Sequence, residues 1–200
     1  MNIVTVAASP AEQSRSIFLL RKLESFLKDA GAQVQSWTLD DFDPAALVYT
    51  RFEDSAIKAY QQSIREADVV VFATPVYKAA YSGGLKLLLD VIPEQGLKSK
   101  AVLSLATGGS NAHLLVLDYV LKPVVANLGA RVQLPGIYVG DQDLKKDGHG
   151  SYQLTEALQQ RLSLAAEELV ELLETPDLKV STPGEREHSP LLGVPGLAYY

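Results

Sequence analysis

The stretch Asp68-Val-Val-Val-Phe-Ala-Thr-Pro-Val-Tyr-Lys-Ala-Ala-Tyr-Ser-Gly-Gly84 decides the fold. Val69 to Ala73 is a short unbroken apolar run, which suits a strand covered on both faces, and Thr74-Pro75 predicts its abrupt end. A loop with two tyrosines and a lysine follows, and an apolar helix is expected over Ser82 to Ile92. Strands buried on both faces belong to parallel sheets flanked by helices. In such sheets ligands settle in the crevice beyond the carboxyl ends of the strands, so an aromatic and cationic loop at that place suits a planar anion.

Working outward, the same strand-then-helix rhythm recurs. Ile3 to Ala8 reads as a first buried strand, followed by a polar turn with three serines and Arg15, and then an amphipathic helix over Ile17 to Ala30 closed by Gly31. Gln33 to Leu39 alternates as a second strand, and after a loop over Asp40 to Arg51 the segment Ser55 to Ala67 has helical spacing. Ala101 to Ala106 is the fourth strand and His113 to Leu128 its helix. Arg131 to Val139 is a fifth strand interrupted by Pro135-Gly136, and Leu154 to Glu174 is the last helix. Five strands alternating with five helices predict an α/β three-layer sandwich with a parallel, doubly wound sheet. One domain is expected over 1–174. Residues 175–200 read as a tail, polar at first and then apolar from Leu191 to Tyr200, either docked on the domain or a neighbouring subunit or disordered.

Composition narrows the chemistry. The chain has 200 residues, 47% of them hydrophobic, a formal net charge of −6 and a pI near 5.1, so no basic footprint for nucleic acid is present. There are no cysteines, which excludes disulfides, cysteine-ligated clusters and a cysteine nucleophile, and three scattered histidines predict no metal site. No apolar run approaches the ~20 residues that span a bilayer. Met1 leads directly into a strand with no charged leader, and the cytoplasm is the expected address.

Three strand ends carry ligand-like loops: Ser9 to Ser16, Thr74 to Gly84 and Thr107 to His113. In the flavodoxin-like strand order 2-1-3-4-5 the first, third and fourth strands are neighbours, and these loops would line one cleft. Each loop taken singly also reads as a helix cap, since serine and threonine are favoured there. Hydroxyls and a guanidinium where the first helix begins suggest a phosphate, favoured by free N–H groups and the helix dipole. Neither Gly-x-Gly-x-x-Gly after the first strand nor a P-loop is present, so that phosphate has to be held by hydroxyls. Thr107-Gly108-Gly109-Ser110 allows close backbone approach to the edge of a flat ring, with Pro75 and Tyr77 as an apolar and aromatic slot. Together the loops point to a flavin mononucleotide.

Ala8-Ser9-Pro10 with Ser14-Arg15-Ser16, then Thr74 to Gly84, then Leu105 to Pro123, recur in order in a known family. The chain resembles the NAD(P)H-dependent FMN reductases of two-component alkanesulfonate monooxygenase systems, over roughly residues 1–174. The resemblance implies a flavodoxin-like enzyme that takes hydride from NADPH, or NADH, to FMN and gives the reduced flavin to a separate monooxygenase. It implies FMN-phosphate contacts from Ser9, Ser14, Arg15 and Ser16, a ring and ribityl border from Pro75, Val76, Tyr77 and Lys78, and a pyrimidine edge at Thr107, Gly108, Gly109 and Ser110. One departure is Ala11, where the wider family often has arginine, which leaves more of the phosphate to Arg15. Hydride transfer between two rings needs no protein acid or base, so no catalytic residue is assigned. Two other readings share the fold: a quinone, azo or chromate reductase, and an electron carrier without nicotinamide chemistry.

The helix over His113 to Leu128 is apolar almost all round, which predicts burial against another subunit as well as the core and hence a homo-oligomer, dimer or tetramer. Pro123 denies Tyr119 its i+4 donor, which invites a π-bulge or else a plain proline kink. In the resembling enzymes a tyrosine at this place lies in a π-helix at a tetramer interface near the flavin, and Tyr119 matches it. His113 either touches flavin or substrate or is an ordinary first-turn residue. His149, His188 and the charge run Asp141 to Asp147 read as solvated, and Tyr81 and Lys86 as candidates for the subunit interface.

Overall fold

The computed structural model describes residues 2–11, 14–146 and 152–174. Its centre is a parallel sheet built from β1 (Asn2–Ala7), β2 (Gln33–Thr38), β3 (Val69–Tyr77), β5 (Ala101–Thr107) and β6 (Val132–Gln133), in the order β2-β1-β3-β5-β6. Two short strands are added: β4 (Ala80–Tyr81) returns antiparallel onto β3, and β7 (Ile137–Val139) pairs with β5. With β4 set aside, this is the flavodoxin-like order read from the sequence, its fifth position divided between β6 and β7 around Pro135-Gly136.

Alternation along β3 makes the layers. Val69, Val71 and Ala73 pack with Leu19, Leu23 and Leu27 of α1 (Arg15–Asp29) and with Leu158, Leu162 and Leu169 of α6 (Glu156–Glu174). Val70 and Phe72 face the other way, onto Ile57 and Tyr60 of α3 (Ser55–Glu66) and Leu85, Leu88 and Leu89 of α4 (Gly83–Asp90). Consecutive strand side chains point to opposite faces, so one apolar run feeds both cores. Each fully buried leucine contributes about 1.5–3 kcal/mol relative to exposure. Helix starts follow the capping preference: Asp54 accepts from Ala56 N at 2.9 Å, and Ser82 from Leu85 N at 3.1 Å. On α1, Glu24 is buried and accepts from Thr5 Oγ1 at 2.5 Å and Ser36 Oγ at 2.7 Å, which satisfies a carboxylate that could not otherwise sit there.

Several expectations are corrected. The third strand does not stop at Thr74-Pro75 but runs to Tyr77. Its ladder with β1 ends at Ala7–Ala73, whereas on the β5 side it continues to Pro75–Thr107. Ala73 O accepts from Ala8 N on the β1 side, and by alternation the missing N–H of Pro75 faces that side too, where no strand needs it. The loop after β2 holds a 3₁₀ turn (Leu39–Asp41) and α2 (Pro44–Val48). The single helix expected over 113–128 is a composite of a 3₁₀ turn (Asn111–His113), a π turn (Leu117–Leu121) and α5 (Lys122–Asn127). The charge run is not simply a solvated loop, because β8 (Leu144–Lys146) pairs with β9 (Tyr152–Leu154) and Asp141 is engaged by Arg15. His149, His188 and the 175–200 tail lie outside the described residues.

Candidate functional site

The three loops meet because β1, β3 and β5 are adjacent. Ala8, just past β1, donates its N–H to Ala73 O at 2.9 Å and accepts Ser82 Oγ at 2.5 Å. Ser82 N donates to Thr74 Oγ1 at 2.9 Å, which holds the two ends of the Thr74 to Ser82 loop together. Within that loop Lys78 and Ala79 have φ of 51° and 61°, a two-residue turn of the primed kind that turns β3 into β4 and matches strand twist. Neither residue is glycine, so the turn is held by its surroundings against about 1–2 kcal/mol per residue. Pro75 is buried beneath it, Val76 is half-buried, and Tyr77 and Lys78 are exposed.

At the first loop, Ser14 is the N-cap of α1 yet its side chain makes no capping bond, and the first turn carries no acid. Instead Ser14 Oγ and Ser16 Oγ, both buried, share a hydrogen bond of 2.8 Å, and Ser9 Oγ accepts from Ala11 N at 3.3 Å. Buried hydroxyls beside uncapped helical N–H groups form a donor-rich, uncompensated positive end, the arrangement that takes a phosphate. Arg15 reaches across to the third loop, with Nη1 at 3.5 Å from Gly108 O, and forms an ion pair with Asp141.

The third loop has a feature that sequence reasoning missed. Tyr138 of β7 donates its hydroxyl to Ser110 O at 2.5 Å, and a β-carbon at Gly108 would lie 2.1 Å from that hydroxyl. Only glycine fits against the phenol, and Gly108 N in turn bonds Val139 O at 3.0 Å. Burial, first, pushes the Tyr138 phenol above its ordinary pKa; Arg15 opposes this and Asp143 adds to it. The neutral phenol thus remains a donor at physiological pH. Thr107 is buried, and Ser110 caps the 3₁₀ turn by accepting from Ala112 N at 3.1 Å.

Ser9, Ser14, Arg15, Ser16, Pro75, Thr107, Gly108, Gly109 and Ser110 are therefore brought together at the carboxyl ends of β1, β3 and β5. His113 is half-buried at the end of its 3₁₀ turn. Tyr119 is not drawn in by this chain; it lies at the middle of the π turn and is 75% exposed. Leu114, Leu115 and Tyr77 are also more than 45% exposed, at 52%, 58% and 48%. The residues present fit a flavin mononucleotide: a phosphate end rich in hydroxyls and N–H groups, and beside it the Gly108-Gly109 backbone, held in place against the Tyr138 phenol.

Residues 1–145 match the family described as NADPH-dependent FMN reductase. An FMN reductase (NADPH) of Escherichia coli K12 is 44% identical over 180 residues, covering 90% of this chain and 94% of the relative. An NADH-dependent FMN reductase, SfnF, of Pseudomonas fluorescens is 35% identical over 90% of this chain and 98% of its own. Among solved structures, the apo form of the NADH:FMN oxidoreductase EMOB superposes with a TM-score of 0.78 at 29% identity, covering 91% of this chain and 97% of that one.

Proposed function

The chain belongs to the NADPH-dependent FMN reductase family, and from that membership we propose that it is a flavin reductase that supplies reduced FMN to a separate flavin-dependent monooxygenase acting on organosulfonates. It is an oxidoreductase using FMN and NAD(P)H. FMN supplies the hydride-accepting ring. The protein's part is to bind and orient. Ser9, Ser14, Arg15 and Ser16 would take the phosphate, Pro75 to Lys78 would border the ring and ribityl chain, and Thr107 to Ser110 would present the pyrimidine edge, with His113 at its rim. We assign 1–174 to this reductase unit and expect it to act in the cytoplasm. Among the described residues no helix is long and apolar enough to cross a membrane.

The observation that carries the reading is the convergence of a helix start, with no capping side-chain bond from Ser14 and no acid in its first turn, and the Gly108-Gly109 backbone at the carboxyl ends of adjacent strands β1, β3 and β5. Hand-over to a second enzyme is supported by the motif resemblance and by the exposed Tyr77 at the end of β3, while the exposed Leu114, Leu115 and Tyr119 suit a protein contact of their own. The same surface supports a homo-oligomer through the 113–128 segment.

Steady-state oxidation of NADPH and of NADH, with free FMN and with or without a sulfonate monooxygenase, tests this. FMN-dependent oxidation is expected, with NADPH the better donor, and sulfite release only when the monooxygenase is present. No FMN-dependent oxidation with either nucleotide would exclude the reductase. Tight retention of FMN through purification, with preference for quinone or azo acceptors, would move the assignment to that class of reductase instead.

A further inference from the structure

Asp141 lies in the turn after β7, far along the chain from the first helix, yet its carboxylate is paired with the guanidinium of Arg15, the first residue of α1. The first turn of α1 has no acid of its own, so among the described residues this carboxylate is the negative charge brought to a donor-rich helix start. Asp141 also stands beside Gly109: a β-carbon there would be 3.6 Å from Asp141 Oδ2.

The turn keeps its shape by other means. Gly140 N donates to Asp143 Oδ2 at 2.9 Å, Asp143 N to Gly140 O at 3.2 Å, and Gln142 Nε2 to Asn111 Oδ1 at 2.8 Å. The Asp141 side chain itself is 63% exposed and the Arg15 side chain 29%. A carboxylate that the turn does not need, set against the one arginine of the phosphate loop, calls for a role. Carboxylate and phosphate compete for the same planar fork of guanidinium N–H donors.

We propose that Asp141 is a built-in competitor for the ligand's phosphate, occupying Arg15 until the phosphate displaces it. Flavin affinity is thereby held down and dissociation sped up, which suits a flavin that leaves after reduction rather than one kept as a prosthetic group. The proposal rests on the reading that Arg15 contacts the phosphate. An exposed pair of this kind is weak, so the competition is worth about fivefold in affinity rather than orders of magnitude.

Equilibrium titration by flavin fluorescence, with FMN and with riboflavin, which has the same ring and no phosphate, tests it on the full chain. Asp141→Asn is expected to tighten FMN about fivefold and slow its release, with a distinctly smaller change for riboflavin. In an Arg15→Ala background the same Asp141→Asn change should have no effect on FMN. Weaker or unaltered FMN binding in Asp141→Asn overturns the proposal, as does equal tightening with and without Arg15, which would be diffuse charge repulsion. If Arg15→Ala lowers FMN and riboflavin affinity equally, the phosphate reading itself fails, and the competitor with it. Circular dichroism of each variant confirms the fold, and the two-ligand comparison in one protein sample keeps the result independent of stability.

Discussion

At the scale of single residues, the site is decided by pairs that are distant in sequence. Gly108 announces itself in the sequence as a place for close backbone approach, but what approaches is the Tyr138 phenol, and no local pattern marks a tyrosine in an apolar strand as anything but core. The pairing makes a sharp expectation. Gly108→Ala forces its methyl onto a hydroxyl only 2.1 Å away and should destabilise the protein by about 1–3 kcal/mol while weakening FMN binding. Adding Tyr138→Phe removes the clashing atom, so the double variant should recover part of both losses although Tyr138→Phe alone gives up a hydrogen bond of about 1 kcal/mol. Urea midpoints and FMN titrations of the three variants check this, and purely additive losses would refute the contact. Arg15 stands out in the sequence as a candidate through its neighbours Ser14 and Ser16. Its partner Asp141 does not, since a charge run reads as solvated until the fold shows what stands opposite.

At the scale of elements, proline decides two outcomes that the sequence separates unequally. In β3, Pro75 looked like a terminator because a central strand needs every N–H, and only the earlier end of β1 makes it tolerable. In the 113–128 segment, Pro123 gave the right answer from sequence alone. Its ring would press on the Tyr119 carbonyl in a regular helix, and the structure widens the turn just before it, with Lys122 N bonded to Leu117 O five residues back. The cost of that wide turn has to be offset by packing: Leu117 and Leu121 are buried, and Leu117 fits over Gly136, where a β-carbon would lie 2.8 Å from its Cδ1. Deleting Tyr119 removes one residue from the wide turn and should leave the fold intact while changing the exchange of this segment, FMN retention and flavin hand-over. Hydrogen exchange across Val116 to Val125 and FMN-dependent turnover read the two effects. Wild-type exchange, FMN affinity and turnover together would show that the wide turn has no such part.

At the scale of the whole molecule, both sheet faces are covered by helices, yet Leu114, Leu115 and Tyr119 remain 52%, 58% and 75% exposed. Exposed apolar groups this close together usually belong to a contact surface. Leu115→Glu should therefore shift the protein to a smaller species in size-exclusion chromatography with light scattering while leaving its helix content unchanged; an unaltered mass would place the subunit contact elsewhere. The layer order was legible because buried parallel strands and amphipathic helices write distinct periods. The small strands β4, β8 and β9 were not, being two or three residues long and fixed by their partners rather than by their own composition. The span of the Arg15 contact with Gly108, 93 residues along the chain, has a consequence in time. A ribosome adding about 5–20 residues per second makes the Ser14-Arg15 turn roughly 5–20 s before its opposite wall exists. A ligand that needs both walls therefore cannot guide the early folding of this protein, and each nascent chain must close its sheet from β1 through β5 before such a ligand can select it.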